Sequence, residues 1–222
     1  MSGQIHEGGA SGGEGYQPHT SNGPRVRTDV VDVYVFRRLG LPEARPSRPY
    51  DAEAVWPKMR PESGGQGGAE ERHSESGGTR VEFLQVLRAG EPLAQTWHPV
   101  MGHVEAGETA VQCAVREMRE ELGLTTGERA FMGLWALEQV HPFFIARINA
   151  IVMSPRFACE VAEGWSPRLN EEHGEHRWVG AAEIDARFMW PGQRAACREV
   201  LSEIVAEGSL SRELLRVDVQ GA

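Results

Sequence analysis

The chain has 222 residues, of which 40% are hydrophobic and 25% are charged, and its formal net charge is -9. This length allows one domain or two small ones. The acidic balance argues against a general nucleic-acid or membrane surface, because such a surface needs a basic field. No apolar stretch reaches the roughly 18 residues of a membrane span, and the N-terminus lacks the order of a signal peptide, so we expect a soluble, cytoplasmic protein.

The first third of the chain alternates between segments of unlike composition. Residues 1–24 are rich in glycine and contain too little apolar surface to offset the entropy of ordering, which predicts a disordered tail. Residues 30–37 alternate and are rich in valine, which predicts the first strand. Residues 41–79 contain five prolines and several glycine pairs, and we expect a flexible insertion there. Trp56 within it is expected to pack on the core or to cover a ligand.

The rest of the chain predicts an α/β or α+β domain over residues 25–207, followed by a C-terminal tail over 208–222. A polar loop over 163–176 interrupts the pattern of apolar segments, and Pro191 suits the first turn of a helix that runs to about residue 206. Strand character appears in the segments 80–90, 128–140, 146–161 and 177–184, with one further short strand just before residue 102.

The most informative stretch is residues 102–124, with the sequence GHVEAGETAVQCAVREMREELGL. At about 100° per residue, a helix here carries an acidic arc about 140° wide beside an apolar arc. The members of the acidic arc are Arg116, Glu117, Glu120 and Glu121. Three carboxylates so close together repel one another and favour a cation among them. Their hard oxygens suit Mg²⁺, with Mn²⁺ as the alternative ion. A solvated acidic face is the competing explanation.

The other residues of this stretch are expected to shape its ends. Gly102 and Gly107 bracket a turn in which a backbone without Cβ can approach an ion closely. Glu108 lies at the positive N-terminal end of the helix and can orient Arg116 two turns further on. Gly123 is expected to end the helix as the glycine that follows its last turn. The stretch therefore predicts a loop-helix-loop unit.

Residues 102–124 fit the pattern G-x5-E-x7-R-E-U-x-E-E-x-G-U, where U is an aliphatic residue, without a departure. In this the chain resembles the Nudix hydrolase superfamily. The resemblance implies the Nudix fold, an α/β/α sandwich of the α/β (α+β) class that is built on a mixed β-sheet. It also implies metal-dependent cleavage of a phosphoanhydride in a nucleoside diphosphate that is linked to a further group.

The same resemblance implies roles for individual residues. Glu117 and Glu121 match the metal ligands of the family, and Glu120 matches a third carboxylate that binds a metal or acts as the base. The backbone carbonyl of Met101 matches a further ligand. Family members commonly add one glutamate from a later loop, and Glu172 fits that place best.

Three more residues complete the candidate site. Arg116 belongs to the catalytic group, where it is expected to orient the glutamates rather than to touch the substrate. Trp97 and His98 stand just ahead of residue 102 and are the expected substrate contacts. An aromatic side chain there either stacks on a base or holds the loop in place.

The leaving group is not encoded in the 102–124 pattern. The additional sequence motifs that distinguish the ADP-sugar, dinucleoside polyphosphate and NADH hydrolases are not clear in this chain. The segments 96–118, 171–179 and 189–201 look like the group that hydrolyses dATP and dihydroneopterin triphosphate. We therefore expect a nucleoside or pterin triphosphate as the partner, with the monophosphate and pyrophosphate as products.

Several alternatives stay open. The chain could act on another nucleoside diphosphate compound, on the 5′ end of an RNA, or as a nucleotide-binding sensor without catalysis. Nucleic acid and membranes are not expected as partners, given the acidic balance. A homodimer is compatible with the sequence.

Overall fold

A computed structural model of the protein describes residues 22–40 and 80–219. The predicted insertion at 41–79, with Trp56, lies outside these ranges. Residues 1–21 of the predicted tail also lie outside them. Within the described part, no helix has the length and apolar character needed to cross a membrane.

The described residues form ten strands and four α-helices. The strands are β1 (Arg25–Arg27), β2 (Val30–Leu39), β3 (Arg80–Arg88), β4 (Trp97–His98), β5 (Val100–His103), β6 (Phe131–Ala136), β7 (Phe143–Ile145), β8 (Ala150–Val152), β9 (Arg156–Val161) and β10 (His173–Gly180). The α-helices are α1 (Ala110–Leu122), α2 (Ile184–Arg187), α3 (Pro191–Glu199) and α4 (Ser211–Leu214). Short 3₁₀ turns occur at Ala146–Ile148 and Ala181–Glu183, and a π-helical segment, Val200–Val205, continues α3.

The main sheet has seven strands and is mixed. Its order is β10-β3-β2-β9-β6, and β4 pairs with β3 while β5 pairs with β2. The strands β2 and β9 are parallel, whereas the other pairs of this sheet are antiparallel. A second sheet has the order β1-β8-β7, in which β1 and β8 are parallel. This arrangement brings the end of β5 next to the start of β2.

Both faces of the main sheet are covered, because apolar side chains of β2 alternate between them. Val31, Val33 and Val35 are buried in one core with residues of α1. Tyr34 and Phe36 are buried in a second core, with residues of α3 and its π-helical extension. The layers are therefore helix, sheet and helix, which confirms the predicted α/β/α sandwich.

The helix α1 has the ends that the sequence predicts. The Thr109 hydroxyl accepts a hydrogen bond from the Gln112 backbone N–H at 3.2 Å, and the Gln112 side chain accepts one from the Thr109 N–H at 2.9 Å. This pair of bonds satisfies two N–H groups that the first turn leaves free. Gly123 follows the helix at φ 66°, a left-handed conformation in which a side chain would be strained.

The strand β10 is longer than the sequence predicts. It begins at His173, inside the segment 163–176 that was expected to be a polar loop. The reason is its partner, since β3 offers hydrogen bonds as far as its last residue and pairs with β10 from Glu82 to Arg88. A polar edge strand can therefore form where the local pattern favours a loop.

The C-terminal segment also differs from the expectation of a separate tail. The Ala136 N–H donates to the Leu215 carbonyl and the Val217 N–H donates to the Leu134 carbonyl, both at 2.8 Å. The segment after α4 therefore runs alongside β6 and adds to the main sheet. Val217 and Val219 pack against the core under α1, so the domain extends past residue 207.

Candidate active site

The strand β5 and the helix α1 meet where Gly102 contacts Glu117. Gly102 is buried, and a Cβ built on it would fall well under 3.0 Å from three side-chain atoms of Glu117. The absence of a side chain at Gly102 therefore leaves the space in which the Glu117 carboxylate lies. Met101 directly precedes Gly102 on the same strand.

Arg116 holds the glutamates of the site in position. Its Nε and Nη2 donate to the two oxygens of Glu108 at 2.9 and 3.0 Å, and these bonds lower the pKa of Glu108. Its Nη1 donates to Glu117 at 2.7 Å and to Glu120 at 3.2 Å. Its Nη2 also donates to the His103 carbonyl at 2.9 Å. A guanidinium has five N–H groups, and these contacts use all of them.

Glu121 is the most deeply placed carboxylate of α1. It is 3% exposed, and its Oε2 has no hydrogen-bond partner among the described residues. Burial raises the pKa of Glu121 to about 9, and the negative charges of Glu117 and Glu172 add to the rise. A buried carboxylate with a free oxygen and two acidic neighbours needs a positive partner before it can ionise. The donor set therefore fits a hard divalent cation.

Glu172 lies close enough to this cluster to act on it. The Ala89 N–H donates to the Glu172 carbonyl at 2.8 Å, so the loop before β10 is fixed to the end of β3. Burial is the main cause of the raised pKa of Glu117 and Glu121, and the charge of Glu172 adds to both. Within the ranges 22–40 and 80–219, no three acidic, histidine or cysteine side chains already converge on one metal position. Two of the α1 carboxylates are held by Arg116 instead.

Two neighbouring histidines, His98 and His173, form a buried pair next to Glu121. The His98 and His173 rings are 5.3 Å apart, and the His173 Nε2 is 3.8 Å from the Glu121 Oε2. Burial lowers the pKa of His173 to about 4. The sequence places His98 with the substrate contacts, and the structure buries it: the residue is 5% exposed and its ring packs near that of His173. His173 carries no spacing signal and only the pairing of β10 with β3 reveals it.

Trp97 lies on the other face of the sheet from His98, because neighbouring residues of a strand point to opposite sides. Its ring is partly exposed, and the Arg177 guanidinium lies 4.2 Å from the ring centroid. Arg177 in turn donates from Nε and Nη2 to the Gln85 side-chain oxygen, at 2.9 and 2.7 Å. One aromatic face is thus covered by a fixed cation. Of the two expected substrate contacts, Trp97 alone remains open to solvent.

Comparisons with known proteins find several that are similar to this chain in sequence or in fold. The bis(5′-nucleosyl)-tetraphosphatase of Sus scrofa is 28% identical over an alignment that covers 54% of this chain and 79% of that protein. The NAD-capped RNA hydrolase NudC of Pseudomonas aeruginosa is 27% identical, and the match covers 61% of this chain but 44% of NudC. Among solved structures, an Ap4A hydrolase of C. elegans superposes with a TM-score of 0.53 at 15% identity, covering 81% of this chain and 98% of that one.

The family model of the NUDIX domain matches residues 75–206, which is more than half of the chain. The matched range contains Gly102, the whole of α1 and the loop that carries Glu172. The C. elegans structure shares the same fold. The protein therefore belongs to the NUDIX domain family and is a Nudix hydrolase.

Proposed function

We propose that the protein hydrolyses a phosphoanhydride bond of a nucleotide with the help of a divalent metal ion. The observation that carries the proposal is the state of Glu121, a buried carboxylate with an unpaired oxygen and acidic neighbours. A purely structural glutamate would be expected to have its oxygens satisfied. Here the carboxylate is unsatisfied at the point where the acidic side chains of α1 gather.

The residues proposed to hold the ion are Glu117, Glu120, Glu121, Glu172 and the Met101 carbonyl. Mg²⁺ suits these oxygen donors, and Mn²⁺ is a second hard ion that they could take. When bound, the ion would neutralise charge on the phosphoryl oxygens and lower the pKa of a coordinated water. The glutamates supply the negative charge that retains it close to the phosphates.

The protein residues have distinct parts in this proposal. Arg116 positions Glu117 and Glu120, since all its N–H groups are engaged within the protein. Either Glu120, the α1 glutamate with the greatest side-chain exposure at 48%, or a loop carboxylate takes the proton of the attacking water. If Glu120 is the base, Glu117 and Glu121 remain as the α1 ligands of the ion. Trp97 is partly exposed but lies on the face of the sheet opposite His98 and Glu121, so its ring can stack on the base only if the substrate extends across the sheet from the carboxylates.

The substrate that the sequence favours is a nucleoside or pterin triphosphate. Attack between its α and β phosphates releases the monophosphate and pyrophosphate. Support comes from the segments around Trp97, Glu172 and Pro191, whose likeness to the dATP and dihydroneopterin triphosphate hydrolases covers both the metal-binding stretch and the later loop. Hydrolysis in ¹⁸O water would then label the monophosphate or the pyrophosphate, with no inorganic phosphate as a primary product.

A dinucleoside tetraphosphate is the second candidate substrate. It is favoured by the likeness to the S. scrofa bis(5′-nucleosyl)-tetraphosphatase, which extends over 79% of that protein. Its cleavage would use the same metal ligands, because the scissile bond is again a phosphoanhydride. The two candidates differ in the number of phosphates and in whether a second nucleoside occupies the far end of the phosphate chain.

The test is a substrate panel with identification of the products. It contains dATP, dihydroneopterin triphosphate, Ap4A, an ADP-sugar and an NAD-capped RNA, each with Mg²⁺, with Mn²⁺ and with a chelator. We expect metal-dependent turnover that is fastest for a triphosphate. Fastest turnover of Ap4A would select the second candidate, and a lack of turnover on every compound would overturn the proposal of hydrolysis by this site.

A further inference from the structure

Arg88 is the last residue of β3 and lies beside the acidic cluster. Because side chains alternate along a strand, Arg88 points to the same face as Leu84 and Val86, which are buried under α1. Its partner across the sheet on β10 is His173, the residue whose Nε2 is 3.8 Å from Glu121. The register and the shared face therefore place Arg88 on the side of the sheet that carries Glu121 and the two buried histidines.

The charges in this region support that placement. Burial is the largest influence on the pKa of Glu121, which it raises, and on those of His98 and His173, which it lowers. The positive charge of Arg88 acts on all three groups and lowers each pKa. The Arg88 guanidinium therefore acts on the Glu121 carboxylate and on both histidine rings through its charge, without direct contact.

Arg88 has unused hydrogen-bonding capacity. Its Nε is buried and has no acceptor, and no carboxylate of the described residues lies within ion-pair distance of it. Arg116, by contrast, has every N–H group engaged, and Arg156 has the Asp32 carboxylate at 3.3 Å. A buried N–H of a charged group without an acceptor is unfavourable, so a ligand with acceptor oxygens would relieve it.

We propose that Arg88 binds a phosphate group of the substrate next to Glu121. The inference rests on the proposed hydrolysis of a nucleotide and adds to it a cation that the 102–124 pattern does not contain. A guanidinium matches two phosphate oxygens with a pair of parallel N–H bonds. A phosphate next to Glu121 would then lie between two positive charges. One is the metal ion that the carboxylates hold, and the other is the Arg88 guanidinium.

The competing role for Arg88 is structural, as a cation whose charge stabilises the acidic loop before β10 without a direct ion pair. The two roles predict opposite results for metal binding. If Arg88 binds phosphate, its removal takes positive charge away from the carboxylates and Mn²⁺ binds as tightly as before or more tightly. If Arg88 only supports the loop, its removal displaces Glu172 and the other carboxylates proposed to hold the ion, and Mn²⁺ binds more weakly.

The experiment compares wild-type protein with Arg88→Gln, Arg88→Lys and the control Arg129→Gln, an exposed arginine away from the site. Pyrophosphate binding is measured by calorimetry with Mg²⁺ present, Mn²⁺ binding by electron paramagnetic resonance, and folding by the melting temperature. For Arg88→Gln we expect at least about tenfold weaker pyrophosphate binding, undiminished Mn²⁺ binding and an unchanged melting temperature, with a smaller loss for Arg88→Lys.

The outcomes separate this inference from the proposed function. If the wild type hydrolyses a nucleotide but Arg88→Gln and Arg129→Gln bind pyrophosphate equally well, Arg88 does not hold phosphate and the hydrolase proposal stands. If the wild type hydrolyses none of the panel yet binds pyrophosphate through Arg88, the phosphate contact stands and the catalytic proposal fails. Weaker binding of both Mn²⁺ and pyrophosphate in Arg88→Gln, or no pyrophosphate binding by the wild type, would overturn the Arg88 proposal.

Discussion

Gly102 of β5 lies directly against the Glu117 carboxylate of α1, in the space that a Cβ would occupy. The contact joins a strand of the sheet to the helix that carries the acidic residues. It explains why the first letter of the 102–124 pattern is glycine, although the φ of Gly102 is not positive. The requirement is close approach rather than backbone freedom.

A methyl group at this position should therefore displace Glu117. We expect Gly102→Ala to lower metal-dependent turnover by about 10²-fold, because a displacement of about 1 Å in a catalytic group has effects of this size. Gly127→Ala is the matched control, since its Cβ would meet nothing within 4 Å. Steady-state kinetics and Mn²⁺ affinity of both variants provide the measurement. Equal activity of the two variants would mean that Glu117 can move without consequence.

Removal of the buried charge should separate catalysis from folding. Glu121→Gln keeps nearly the same volume but loses a negative ligand, so we expect turnover to fall by orders of magnitude while the protein remains folded. Glu207→Gln, an exposed residue of the described chain, serves as the control. Kinetics with Mg²⁺ and circular dichroism are the measurements. Activity near that of the wild type in Glu121→Gln would exclude Glu121 from the mechanism.

The raised pKa of Glu121 predicts how the stability of the metal-free protein depends on pH. The unfolded chain loses this proton near its ordinary pKa of 4.5, whereas the folded chain keeps it to about pH 9. The folded state therefore binds more protons in this window, and the contribution of Glu121 to the free energy of unfolding falls as pH rises. Urea unfolding with a chelator at pH 5.5, 7 and 8.5 measures it. Relative to Glu121→Gln, the wild type should lose stability across the series, and a constant difference would contradict the prediction.

The pairing of β2 with β3 predicts that residues 41–79 can be replaced. Leu39 and Arg80 are register partners in an antiparallel pair, so the two ends of this segment are already adjacent. A four-residue glycine-rich turn should close the same hairpin, and the shorter loop should change the free energy of unfolding by no more than about 2 kcal/mol.

A second variant with a glycine-serine linker of unchanged length is the control for this replacement. Thermal unfolding and substrate affinity are measured for both. If both variants fold and bind substrate normally, the segment is dispensable for the site. If both fold but bind substrate poorly, the native sequence of 41–79 contributes to binding, and failure of both to fold would show that it contributes to the core.

The sequence was sufficient where the determinants of structure are local. The end of α1 was predicted from Gly123, which borders the last turn of the helix, and the cap formed by Thr109 and Gln112 at its start is equally local. The acidic arc of α1 likewise depends only on helical spacing. The helix from Pro191 was also predicted, although its second half, Val200–Val205, is π-helical rather than α-helical.

The sequence was insufficient where structure depends on distant partners. The strands β1 and β7 have three residues each, too few to show a period, and they exist because both pair with β8. The position of Arg88 beside His173 depends in the same way on the register of β3 and β10. Neither residue belongs to a spacing pattern, so only the assembled sheet shows that Arg88 is paired with His173 and that His173 lies next to Glu121.

The full engagement of Arg116 limits how the 102–124 pattern can vary among related chains. Lysine would keep the charge, but its ammonium has three N–H groups at a single nitrogen and cannot reach Glu108, Glu117, Glu120 and the His103 carbonyl together. A relative with lysine here would need another way to hold two of its glutamates. Similarity searches that score arginine and lysine as near equivalents would overlook this difference. At the Arg116 position of the 102–124 pattern, the shape of the side chain therefore indicates a working site as much as its charge does.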